Sequence, residues 1–258
     1  MSKKNYNSKR IKGKLRVYHY LISNKNLKSH LPYSVPFSKE TLERTTSQYN
    51  LLYVKPNQGS HGKRIVQLKK DPKSGKIIAR KTYSRKSFKK VSELYTYLEN
   101  YSKKRRMLIQ KGIELEKVNG KPYDIRVMVQ RKPSGKWVCT GMFTKVGLPK
   151  KIITNYYQGG KILLLDQVFK DLNLTDKQKK SRYHQLSTIS LEVAGTLSSY
   201  QKGMHEMGID FAFDKIGRLW IIEVNTRRPQ FHPLKKISPS MYQRMMSFAK
   251  SYGRKSAS

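Results

Sequence analysis

Two rhythms of apolar residues run along this chain of 258 residues. Recurrence every three or four positions predicts amphipathic helices over 36–49 and 86–104, the second through Phe88, Val91, Leu94, Tyr95 and Leu98. Ser38 stands as the N-cap of the first, with Glu40 and Glu43 in its opening turns. A long helix is expected over 181–207. Shorter apolar runs predict strands at 50–56, 64–70, 77–84 and 106–113, with a glycine loop at 57–63. The run "LRVYHYLI" (15–22) reads as a short strand, and 155–161 as a loop. Segment 123–130 alternates: Tyr123, Ile125, Val127 and Val129 point one way, and Asp124, Arg126, Met128 and Gln130 the other. A half-buried antiparallel strand has this pattern. A turn at "KPSGK" leads into a further strand over 137–147. The sum is an α+β protein with antiparallel strands and helices outside them.

The last strand pair, "GIDFAFDKIGRLWIIEVN" (208–225), carries polar residues inside an otherwise buried pattern. A turn centred on Lys215-Ile216 sets Asp210 opposite Ile221. Asp210, Ile221, Glu223 and Asn225 then share one face, and Phe211, Phe213, Trp220, Ile222 and Val224 the other. An odd number of loop residues would flip that register. Three oxygen-bearing side chains suit Mg²⁺, with water and phosphates completing its shell. A solvated polar face on an edge hairpin is the plain alternative.

Charge changes the picture next. Lys and Arg number 55 and Asp and Glu 16, a net charge of +39. Such a chain expects anionic partners: nucleotide phosphates, nucleic acid, an anionic polymer or an acidic surface. Residues 1–30 hold nine Lys/Arg and no acid, and the first dozen are expected to be disordered. The stretch after Glu223 holds eight Lys/Arg and no acid, so arm and tail together offer nonspecific nucleic-acid binding. The single cysteine, Cys139, excludes an intrachain disulfide and reads as a buried thiol. No apolar run reaches the length of a membrane span, and no apolar signal core follows the basic start. An intracellular, soluble protein is expected.

The segment "YVKPNQGSHGKRI" (53–65) offers a phosphate end. Lys55 closes a strand, and Gly59 and Gly62 bracket Ser60-His61. Glycines let backbone N–H groups approach phosphate oxygens. A Walker P-loop is excluded, because Arg64 follows Gly62-Lys63 and the loop leads into a strand. A surface loop in a lysine-rich chain is the alternative.

These segments, with "LIQKGIEL", "GKPYDIRVMVQ" and "TNYYQGGK", stand in an order that resembles the ATP-grasp superfamily, most closely its YheC/YheD-type endospore coat-associated members. The resemblance covers 31–229 and implies an ATP-grasp fold, two α+β lobes whose antiparallel sheets grip the nucleotide. It implies a basic arm over 1–30, an N-terminal lobe over 31–112, a C-terminal lobe over 113–250 and a tail over 251–258. A full domain ahead of the nucleotide lobes is not expected. Lys55 would contact the phosphates of ATP, with Gly59, Ser60 and Gly62 in a flap above. Gln110, Lys111 and Ile113 would meet adenine, largely through backbone. Asp124 and Arg126 would face the ATP or acceptor site, and Asn155 would lie near the phosphates. Asp210, Glu223 and Asn225 would hold Mg²⁺. The implied activity is ligase-like: a carboxylate activated as an acyl phosphate for attack by an amine or similar nucleophile. ATP binding with little turnover in a spore-associated protein is the alternative. Where many relatives carry a small residue and Pro-Gly, this chain has Thr226-Arg227-Arg228-Pro229-Gln230, which suits an anionic substrate.

Overall fold

The computed structural model describes residues 5–59, 62–148 and 160–258. The N-terminal sheet has the order β1-β6-β2-β3-β4-β5 and is antiparallel throughout. Its strands are β1 (Ser34–Pro36), β2 (Leu51–Pro56), β3 (Val66–Lys70), β4 (Ile77–Arg80), β5 (Arg85–Phe88) and β6 (Met107–Lys111). Helices α3 (Lys39–Gln48) and α4 (Val91–Ser102) join it, and Leu42, Leu94 and Leu98 meet Leu52, Val54, Leu68 and Ile109 in one core. Ser38 caps α3 as its sequence predicts, through a reciprocal pair with Thr41. Helix α4 starts at Val91 rather than at 86, because Arg85–Phe88 pairs with β4 as an edge strand. Phe88 is therefore a core residue of the sheet rather than of the helix.

The C-terminal sheet runs β10-β9-β8-β11-β12, with the short β7 (Lys117–Val118) beside β8. Its members are β8 (Lys121–Gln130), β9 (Val138–Val146), β10 (Lys161–Leu163), β11 (Glu206–Phe213) and β12 (Leu219–Asn225). The predicted alternation of β8 holds: Tyr123, Ile125, Val127 and Val129 enter the main core. That face is covered by α5 (Leu165–Asp171) and the long α6 (Asp176–Tyr200). Helix α6 starts and ends earlier than 181–207; Thr175 caps it, and β11 begins at Glu206. On the opposite face, α7 (Leu234–Ile237) and α8 (Pro239–Ser251) cover Met128 and Phe143. The rest of that face, with Asp124, Arg126 and Asp210, looks into the cleft between the sheets.

The N-terminal segment departs most from its reading. Residues 14–22 form helix α1 (Lys14–Ile22), not a strand, and α2 (Lys25–Lys28) follows. Val17 and Leu21, four apart on one helical face, bury into the same core as α6. The described residues before α1 are docked rather than loose. The Asn7 N–H donates to the Tyr252 carbonyl at 3.0 Å, and that of Lys9 to Gly203 at 2.8 Å. Ile11 is buried. The basic stretch at the C-terminal end is also tied down: Arg254 is buried and ion-paired with Glu206 at 2.6 Å. No helix among the described residues is long and apolar enough to cross a membrane.

Candidate functional site

Two turns of register decide where the acidic residues of the last hairpin point. The loop between β11 and β12 has five residues, Asp214 to Arg218, because Phe213 pairs with Leu219. An odd loop flips the predicted register. Phe211 then opposes Ile221, and both enter the core. Trp220 and Ile222 come to the cleft side, reversing the predicted placement of Ile221, Trp220 and Ile222. A bulge between Asp210 and Phe211 flips the register back, so Asp210 opposes Glu223 and Gly208 opposes Asn225. Asp210, Glu223 and Asn225 therefore do share one face and line a single cavity of about 310 Å³.

That cavity also takes in Lys55, Gly59, Gly62 and Arg126. An adjoining cavity of about 480 Å³ is lined by Gln110, Lys111, Ile113 and Asp124 and shares Lys55, Gly62, Asp210 and Glu223 with the first. Of the predicted site residues, Ser60 and Asn155 lie outside the described residues. The other eleven converge on these two joined spaces. Gly59 and Gly62 take φ of 155° and 65°, positive values that residues with a Cβ rarely adopt.

Asp210 is the electrostatic centre. Arg126 grips it with both forks, Nε to Oδ1 at 2.7 Å and Nη2 to Oδ2 at 2.9 Å. Lys145 Nζ adds a third bond at 2.9 Å and reaches Asp124 at 2.6 Å. The Asn225 amide donates to Asp210 Oδ2 at 3.1 Å. Burial pushes the Asp210 carboxyl up, but Arg126 and Lys145 outweigh it and hold it well below the usual carboxylate range. Lys55 is buried too, and its ammonium donates to Gln110 Oε1 at 2.8 Å. Burial lowers its pKa to about 8; neighbouring Lys14 adds to that, and Glu223 and Asp210 partly offset it. Gln110 thus does more than line the larger cavity. Its side chain positions Lys55 and itself donates to Ser34 at 3.1 Å. The Lys111 N–H is committed to the Tyr33 carbonyl at 2.8 Å.

Two site residues escaped the sequence reading. Lys145 sits directly opposite Asp124 in the β8–β9 pairing. Lys14, the first residue of α1, donates to the Gly59 carbonyl at 3.0 Å and lies 3.3 Å from Glu223. In a chain with 55 basic residues neither lysine stands out. A weak signal for Lys145 was its position in the apolar run "GMFTKVG".

The donor set has the ligand chemistry that a magnesium ion takes. It comprises two carboxylates and one amide on a common face, with both Asp210 oxygens held by Arg126, Lys145 and the Asn225 amide.

The YheC/D like ATP-grasp family model matches residues 3–254, nearly the whole chain. The chain belongs to that family. Among relatives of this YheC/D-like type, the endospore coat-associated protein YheD of Bacillus subtilis (strain 168) is 29% identical over 196 residues, covering 74% of this chain and 42% of that protein. The endospore coat-associated protein YheC of the same organism is 23% identical over 243 residues, covering 90% and 64%. The chain thus spans less than two thirds of either relative. Among solved structures, the C-terminal domain of K. lactis Pby1 shares the fold. That protein is described as an ATP-grasp enzyme interacting with the mRNA decapping enzyme Dcp2. The likeness has a TM-score of 0.51 at 14% identity and covers 88% of this chain and 70% of that one. The ATP-grasp architecture expected from the sequence is the architecture found.

Proposed function

We propose that this YheC/D-like protein binds MgATP between its two sheets and activates a carboxylate for attack by an amine or similar nucleophile. The observation that carries the reading is the convergence of Asp210, Glu223 and Asn225 with Lys55 and Arg126 around one cavity. Gln110, Lys111 and Ile113, along the larger cavity, would flank adenine. Lys55 and the Gly59–Gly62 flap would hold the phosphates. Asp210, Glu223 and Asn225 would hold Mg²⁺, which when bound neutralises charge on the transferring phosphoryl group.

Arg126 reaches the same space, and its guanidinium would orient anionic oxygens during transfer. A substrate carboxylate oxygen forms a bond to the γ-phosphorus as the bond to the β–γ bridging oxygen breaks, and ADP leaves. The nucleophile then adds at the acyl carbon, phosphate departs, and the attacking nitrogen gives up a proton. No protein nucleophile is required, because the acyl group is activated on phosphate. The names of the two Bacillus relatives favour a second reading, a spore-associated protein that binds ATP with little turnover.

Glu223→Gln and Lys55→Met separate the site from its alternatives. Each is expected to weaken MgATP binding at least tenfold in calorimetry. Unchanged affinity in both would refute the site. ADP and phosphate release with candidate acids and amines then distinguishes turnover from binding alone.

A further inference from the structure

We infer that the smaller cavity receives an acceptor carrying at least two carboxylates. This inference rests on the nucleotide reading of the same site and names the substrate class that reading leaves open. The first argument is charge. Cationic side chains lining this cavity outnumber carboxylates seven to two. Asp124, 2.6 Å from Lys145, answers one of those charges, and bound MgATP, with a net charge of about −2, leaves an excess of about two positive charges beside the reacting centre. A singly charged acid would leave about half of that excess unanswered.

The second argument is construction. Arg227 and Arg228 are not on a loose loop. Thr226 is buried, and its hydroxyl accepts from the Ile11 N–H at 3.2 Å and donates to the Ile11 carbonyl at 3.0 Å. Pro229 fills the space above Gly208, where a Cβ would come within 2.5 Å of the proline ring. The same Cβ would come within 3.1 Å of Arg126. Arg228 holds φ at 41°, uncommon outside glycine, with its guanidinium 4.6 Å from the centre of the Tyr6 ring. The segment before α1 thus braces the arginine loop from one side, and Lys14 enters the cavity from the other. The braced loop presents two guanidinium forks, groups that recognise planar carboxylates and phosphates. The chemistry proposed for the site selects the carboxylate.

Calorimetric titration of protein saturated with Mg²⁺ and a non-hydrolysable ATP analogue tests this, using butyrate, glutarate and tricarballylate. Affinity is expected to rise at least fivefold with each added carboxylate. Arg227→Gln/Arg228→Gln is expected to lose at least tenfold for tricarballylate while nucleotide affinity changes less than threefold. Lys235→Gln/Lys236→Gln, on exposed α7, is expected to change neither. Equal affinity across the series overturns the inference, as does an equal loss in both double variants. Methylenediphosphonate binding as tightly as tricarballylate overturns the carboxylate class. Should the analogue itself fail to bind, the nucleotide reading falls. The same acid series on the free protein then judges the acceptor site separately.

Discussion

Strand β11 carries two buried carboxylates on one face, Glu206 at its start and Asp210 four residues on, and the two behave differently. Glu206 is fully enclosed. It pairs with Arg254 at 2.6 Å and accepts from the hydroxyls of Tyr6 at 2.8 Å and Tyr252 at 2.9 Å. Gln130, opposite it on β8, closes the network through Tyr252 at 2.6 Å. Asp210 faces Arg126 on the same neighbouring strand, but its cluster opens to a cavity and carries more cations than anions. One arrangement balances its carboxylate against Arg254 within the protein. The other carries a cationic excess that faces an open cavity. A buried ion pair is therefore not by itself a functional signal; access and charge imbalance are.

The sharpest break of this contrast is Glu206→Ala. Removing it strands Arg254 without its partner, and a loss of about 3–5 kcal/mol is expected in urea unfolding. MgATP affinity of the folded fraction is expected to stay within threefold. Asp210→Asn should show the inverse pattern. Water entering through the cavity can solvate Arg126 and Lys145, so the stability cost is expected to be only about 1–2 kcal/mol. MgATP affinity is expected to fall about a hundredfold, roughly 2.7 kcal/mol. If both variants lose stability alike and neither loses nucleotide, the two clusters are of one kind.

The smallest expected effect is on pH. Burial pushes the Lys55 ammonium down to about 8, below the ordinary lysine value, and a bound triphosphate would favour its charged form. Binding above that pH therefore takes up a proton. Affinity is expected to be flat near neutrality and to fall as pH rises past 8, by up to roughly tenfold per unit. Lys55→Met should flatten the profile. An unchanged slope in that variant would remove Lys55 from the phosphate contact.

Much of this was legible in sequence, and some for imperfect reasons. The helix over 36–49 and the alternation of β8 follow from local patterns that tertiary packing reinforces. The grouping of Asp210, Glu223 and Asn225 was right although the assumed turn was not. A five-residue loop and a bulge cancel in register, and neither leaves a clear mark in a single sequence. Ile221, lying between them, was misplaced for that reason. The β8–β9 pairing repeats the device: seven residues separate Gln130 from Val138, and a bulge follows between Met128 and Val129. The face of Lys145 was hidden in the same way. Helix α1 was misread because Val17, Tyr18 and Tyr20 have strong strand preference, which burial of Val17 and Leu21 overrides. Lys14 gains its place only through that helix, so it could not be found before α1 was.

The docking of the first described residues has a consequence for how the molecule is made. Tyr6 and Ile11 find their partners 200 and 215 positions later in the chain. During synthesis from the amino end, these residues emerge from the ribosome long before the segments that receive them. The N-terminal sheet, whose strands all lie between 34 and 111, can assemble meanwhile. The arginine loop acquires its brace only after residue 226 has emerged, so this side of the cavity takes shape well after the N-terminal sheet.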